Sequence, residues 1–136
     1  MDENIIRSTA LFFYLNLFDS RLAFAASQRT LSAWRDHGGS RRSDLIPIAK
    51  KTLKHVRSLR FFGLENVPGD FDLPKGIDTR AWIELKKRVE IAEYEAILWS
   101  QVLKFSDDEL ADGFGVSVGT IRHRVGRALR ELGRLV

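Results

Sequence analysis

The sequence predicts an all-α protein built from two small helical domains. Apolar residues recur at spacings of three and four along most of the chain, and no segment alternates convincingly with period two. The ten glycines and three prolines leave long stretches uninterrupted. They gather most densely in residues 63–78 (GLENVPGDFDLPKGID), which split the 136-residue chain into halves of about 62 and 58 residues.

Taken in order, residues 4–18 (NIIRSTALFFYLNLF) are strongly apolar and predict a helix, although Phe12, Phe13 and Tyr14 would also suit a strand. Asp19 or Ser20 then caps a second helix running to about Asp36, where Gly38-Gly39 ends it. Leu22, Ala26, Thr30 and Ala33/Trp34 give it an apolar stripe. Ser43 is the expected cap of a third helix. Pro47 fits near its start, Ile46, Ala49, Leu53 and Val56/Leu59 form its apolar face, and Gly63 stands at its end. Residues 63–78 keep no helical period and read as a linker. Asp78 or Thr79 opens the next helical stretch, which runs to Lys104 as one helix or as two with a bend near Glu90. The domains expected are therefore 1–62 and 79–136, and neither half buries much apolar surface alone.

Charge is unevenly spread. The chain carries net +4, but residues 38–62 hold seven basic groups against one acid, and residues 63–78 one against four. In residues 105–136 five acids balance five arginines, with four of the acids at Asp107, Asp108, Glu109 and Asp112 and all the arginines from Arg122 onward. This points to a polyanionic partner.

Several function classes recede. There is no cysteine, and His37, His55 and His123 are not spaced as a metal pair, so no metal site or cofactor is expected. His55 reads as a surface residue and His37 as a helix-end residue. No Gly-x-Ser-x-Gly elbow or Walker loop is present, and the chain does not read as an enzyme. The apolar run 10–18 is too short to span a bilayer, and the acidic Asp2 and Glu3 do not suit a signal peptide. A cytoplasmic protein with no membrane partner is expected.

The most informative stretch is FSDDELADGFGVSVGTIRHRVGRALREL, residues 105–132. Ser106-x-x-Glu109 is a capping box that opens a short helix with Leu110 and Ala111 inward. Gly113 and Gly115 supply a tight turn, and Ser117 caps a second helix with Ile121, Val125, Ala128, Leu129 and Leu132 inward. Two helices joined in this way form a helix-turn-helix pattern. Arg122, His123, Arg124, Arg127, Arg130 and Arg134 decorate the second helix, a face suited to phosphates and to guanine edges. The acids of the first helix suit its N-terminal dipole and are expected to face away from DNA.

These residues resemble the upstream-element-binding domain of bacterial sigma factors, especially the small extracytoplasmic-function type. The family's S-x-x-E-[IL]-A opening matches Ser106, Glu109, Leu110 and Ala111, its G-V-S-V-G-T-[VI] turn matches residues 115–121, and its [KR]-x-R-x-x-R-A matches Arg122, Arg124, Arg127 and Ala128. Residues 93–105 stand where the family has R-E-V-L-x-L-x-x-x-x-G-L, with Glu90 and Tyr94 in place of the usual Pro and Arg. In the amino half, residues 44–60 resemble the helix W-L-x-x-I-A-x-N-x-x-x-D-x-x-R, and residues 21–35 the polymerase-docking helix. Ala23 and Phe24 replace an acidic pair there, and the stretch between Trp34 and Ile46 is short where the family carries its promoter-melting loop.

The resemblance implies a transcription factor that binds promoter double-stranded DNA through the carboxy half and core RNA polymerase through the amino half, with an anti-sigma protein as a further partner. It places Ser117, Val118, Gly119 and Thr120 near the DNA backbone and base edges, Arg122, His123 and Arg124 at base edges and phosphates, and Arg127 and Arg130 at phosphates. Lys50, Lys51, Lys54 and Arg57 form a second basic face toward DNA. Two other functions fit the sequence: a stand-alone dimeric helix-turn-helix regulator, and a sigma mimic that binds protein rather than DNA.

Overall fold

The computed structural model describes residues 3–59 and 77–135, and every described regular element is helical. The chain divides into two compact units, Met1–Pro74 and Lys75–Val136, with the boundary inside the Gly/Pro-rich stretch. The expected helix stop at Gly63 and most of the 63–78 linker lie outside the described residues. Among the described residues, no helix is long and apolar enough to cross a membrane.

In the first unit, α1 (Glu3–Leu17) turns directly into α2 (Ser20–Asp36). Phe18 makes the reversal at φ 51°, a left-handed conformation that is uncommon outside glycine. Its N–H reaches Tyr14 O at 2.7 Å, and its ring packs edge-on against Tyr14. Asp19 is the cap, its Oδ1 accepting from the N–H groups of Arg21 and Leu22, both at 3.0 Å. At the far end, Gly38 and Gly39 take positive φ, and Trp34 Nε1 donates to Arg41 O at 2.8 Å, tying the following loop back to α2. A 3-10 turn over Arg42–Asp44 then leads into α3 (Leu45–Leu59). Ser43 is therefore buried within that turn and is not the N-cap of α3.

Helix α2 packs on both α1 and α3. Phe12, Phe13 and Leu15, Ala23, Ala26, Leu31 and Trp34, and Leu45, Ile46, Ala49 and Leu53 form the core between them. The hydroxyls of Thr9, Ser27 and Thr52 and the amide of Asn16 are buried there and bond back to carbonyls of their own helices. Thr30 Oγ1 is buried without a partner among the described residues.

In the second unit, α4 (Thr79–Arg88) is capped by Asp78. The alternative with a bend near Glu90 is the one observed. Val89 and Glu90 are extended, and α5 (Ile91–Gln101) starts afresh. Lys104 takes φ 60° before α6 (Asp107–Phe114) and α7 (Val118–Leu135). Helix α7 packs against α4, α5 and α6 and is the hub of this unit. Leu85, Tyr94, Ile97, Leu98, Trp99, Phe105, Leu110, Ile121 and Ala128 fill the core. Burial pushes the Tyr94 phenol well above its ordinary range. Leu129, expected inward, is 43% exposed, because it sits 80° around α7 from Ile121.

Candidate nucleic-acid interface

The α6–α7 pair is built by local chemistry at each end. Ser106 Oγ accepts from Glu109 N–H at 3.1 Å, and Glu109 Oε1 accepts from Ser106 N–H at 2.9 Å, so the predicted capping box is closed. Asp107, Asp108 and Glu109 place three carboxylates against the positive end of α6. The turn needs one glycine. Gly115 has φ 70° and ψ 36°, and its N–H returns to Ala111 O at 2.9 Å. A Cβ there would meet nothing within 4 Å, so the constraint is conformational and not steric. Gly113, expected to share the turn, lies within α6. Leu110 is fully buried, whereas Ala111 is only half-buried.

Ser117 Oγ accepts from Thr120 N–H at 3.1 Å and lies 2.9 Å from Thr120 Oγ1, so both hydroxyls are engaged at the start of α7. Ser117, Gly119, Arg122, His123, Arg127 and Arg130 are exposed; Val118, Thr120 and Arg124 are half-buried. Helical geometry at 100° per residue puts His123 and Arg130, seven residues apart, on nearly one line, with Gly119 and Gly126 beside them. Arg124 stands about a third of a turn away from Arg130, at the margin of the buried stripe, and does not share that face.

The arginines of α7 fall into two groups. Arg122 Nε donates to Asp107 Oδ2 at 3.2 Å, Arg127 Nε lies 3.0 Å from Glu93 Oε2, and Arg134 pairs with Glu131. His123, Arg124 and Arg130 have no bonded partner among the described residues. Asp107 therefore does not stand apart from the basic face, contrary to the expectation for the acids of α6. The physical reason is that the first turn of α6 abuts the first turns of α7, within reach of a long arginine.

Sequence reasoning missed Glu93. Its Oε1 accepts from Glu90 N–H at 3.0 Å, closing a second capping box, and its side chain is only 5% exposed. The available signal was Glu-x-x-Glu at the helix restart, with glutamates at both box positions in place of the usual Ser/Thr opening.

On α3, Lys50, Lys51, Lys54 and Arg57 are all exposed and have no carboxylate partner among the described residues. They share one side of the helix, opposite Leu45, Ala49 and Thr52. His55, expected at the surface, is half-buried.

Comparison of the chain with protein-family models, curated proteins and solved structures finds no match.

Proposed function

We propose that the chain is a sigma-factor-like transcription factor that reads promoter DNA through α6 and α7 and binds core RNA polymerase through its first unit. The observation that carries this reading is the capped α6–Gly115–α7 unit, which holds His123 and Arg130, unpaired among the described residues, on one exposed line of a helix packed on three neighbours. Such a helix offers base-edge contacts near its start and phosphate contacts along its side. A second observation supports it. Lys104 takes a left-handed φ of 60° at the position where the sigma pattern carries its glycine.

The test is recovery of duplexes from a random-sequence pool by the full chain, followed by affinity measurements over a salt series. Arg122→Ala is expected to lose about 1–3 kcal/mol and to relax base preference at one position, and Arg130→Ala to weaken binding to all duplexes alike. Affinity unchanged in both variants at moderate salt would show that α7 is not the reading element. Co-purification with core polymerase, and transcription from a recovered promoter, test the first unit.

A further inference from the structure

We propose that Glu93 is a positioning residue for DNA recognition, anchoring Arg127 so that its guanidinium is offered outward with a fixed aim; this rests on the reading of α7 as a DNA-contacting helix. Glu93 lies in the first turn of α5 and is almost wholly buried. Its two oxygens have separate duties. Oε1 accepts the N–H of Glu90 at 3.0 Å, and Oε2 lies 3.0 Å from Arg127 Nε on α7. With one oxygen bound to the backbone and the side chain buried, the second oxygen has little room to move from its place beside Arg127. The contact is made at Nε, the inner nitrogen, and 49% of the Arg127 side chain remains open to solvent. A guanidinium held at Nε can present its outer Nη pair as a preformed two-donor fork. That fork matches a pair of acceptors on DNA, either phosphate oxygens or the O6/N7 edge of guanine.

The charge on Glu93 needs an explanation of this kind. Capping α5 requires only an acceptor, and a glutamine supplies one. Burying a carboxylate is costly unless it is paired. A negative group beside a DNA-facing helix also opposes a polyanion. Both penalties are offset when the carboxylate fixes an arginine that the interface uses.

The experiment measures binding of the full chain to a duplex it recovers from a random pool and to a scrambled duplex of equal length. Glu93→Gln keeps the cap acceptor and removes the anchor. It is expected to melt within a few degrees of wild type and to lose about tenfold in affinity for the recovered duplex. Removing a negative charge alone would raise affinity, so a loss is diagnostic of positioning. Arg127→Lys keeps the charge without the fork and is expected to lose a similar factor, and the double variant no more than either single one. A loss confined to the recovered duplex identifies a guanine edge; an equal loss on both duplexes identifies a phosphate. Glu93→Gln binding as tightly as wild type, or tighter, overturns the proposal, as does Arg127→Lys binding unchanged. Failure of the wild-type chain to bind any duplex overturns the reading of α7 itself, and the proposal with it.

Discussion

Helices α3 and α7 are both basic, but their charges are arranged on different principles. Among the described residues, the four exposed cations of α3 stand without carboxylates, whereas three of the five arginines of α7 are tied to acids of their own unit. An unpaired exposed cation acts through space on whatever anion approaches, with little direction and strong dependence on salt. An arginine held by a carboxylate gives up some of that free charge and gains a defined orientation. Segment charge alone does not record this difference. Residues 105–136 are neutral overall, yet they carry the more directional set of groups.

The largest effect that separates the two arrangements is the loss of a paired arginine. Arg127→Ala leaves Glu93 buried with, among the described residues, only the Glu90 N–H as partner, and should destabilise the second unit by on the order of 2 kcal/mol, moderated by the half-exposure of Arg127. Arg122→Ala breaks a pair whose two side chains are 71% and 42% exposed, and should cost at most a few tenths of a kcal/mol. Denaturant unfolding of both variants checks the contrast. Equal effects would mean that burial of Glu93 does not set the strength of its pair.

That difference was not legible in the sequence, whereas much of the fold was. The caps at Asp19, Asp78 and Ser106 and the turn at Gly115 were legible because capping and left-handed φ are decided within four residues of chain. The helical periods placed Leu53, Leu85, Ile97 and Ile121 in the core. Leu129 differs because residue type points it inward, whereas its angle around α7 carries it to the edge of the buried stripe. Ser43 was misplaced because a 3-10 turn and a helix N-cap favour the same residue types. The ion pairs of Asp107 and Glu93 join residues 15 and 34 positions apart in sequence. No local pattern records such a pairing, since it follows from which helix faces meet. The candidate contacts read from the sequence therefore did not divide the arginines of α7 into anchored and free.

A middle-sized effect tests whether α7 is held by its neighbours and not by its own helical preference. Gly119, Gly126 and Gly133 recur every seven residues within α7, while α3 contains no glycine. A Cβ at Gly133 would meet nothing within 4 Å, and one at Gly126 would make ordinary contact with Arg130 Nη1 at 3.7 Å. Gly133→Ala should therefore stabilise the second unit by about 1 kcal/mol. The opposite substitution should act in the same direction at Lys104, where φ is 60°. Lys104→Gly relieves a left-handed residue and should gain about 1 kcal/mol, less whatever its side chain contributes. Chemical denaturation reads both. A loss at Gly133 would show that α7 requires that glycine for its own packing.

The smallest effect on stability belongs to α3. Lys50 and Lys54 are four residues apart, and Lys54 and Arg57 three apart, so these cations repel along the helix with no acid among the described residues to relieve them. Lys54→Gln should therefore be neutral or stabilising by a few tenths of a kcal/mol, where the same neutralisation at Arg127 is costly. Its consequence lies in binding. Each cation of this face that meets a phosphate should, when neutralised, lower the slope of log affinity against log salt by about 0.9 while leaving base preference unchanged. Replacing Lys50, Lys51, Lys54 and Arg57 together by glutamine, and following duplex binding over a salt series, measures that slope. A change of base preference would mean that α3 reads sequence as α7 is proposed to. A stability loss above about 1 kcal/mol would mean that these side chains hold the first unit together. A shallower slope with preference intact keeps the two helices apart in role: α3 supplies undirected attraction, and α7 supplies the aimed contacts.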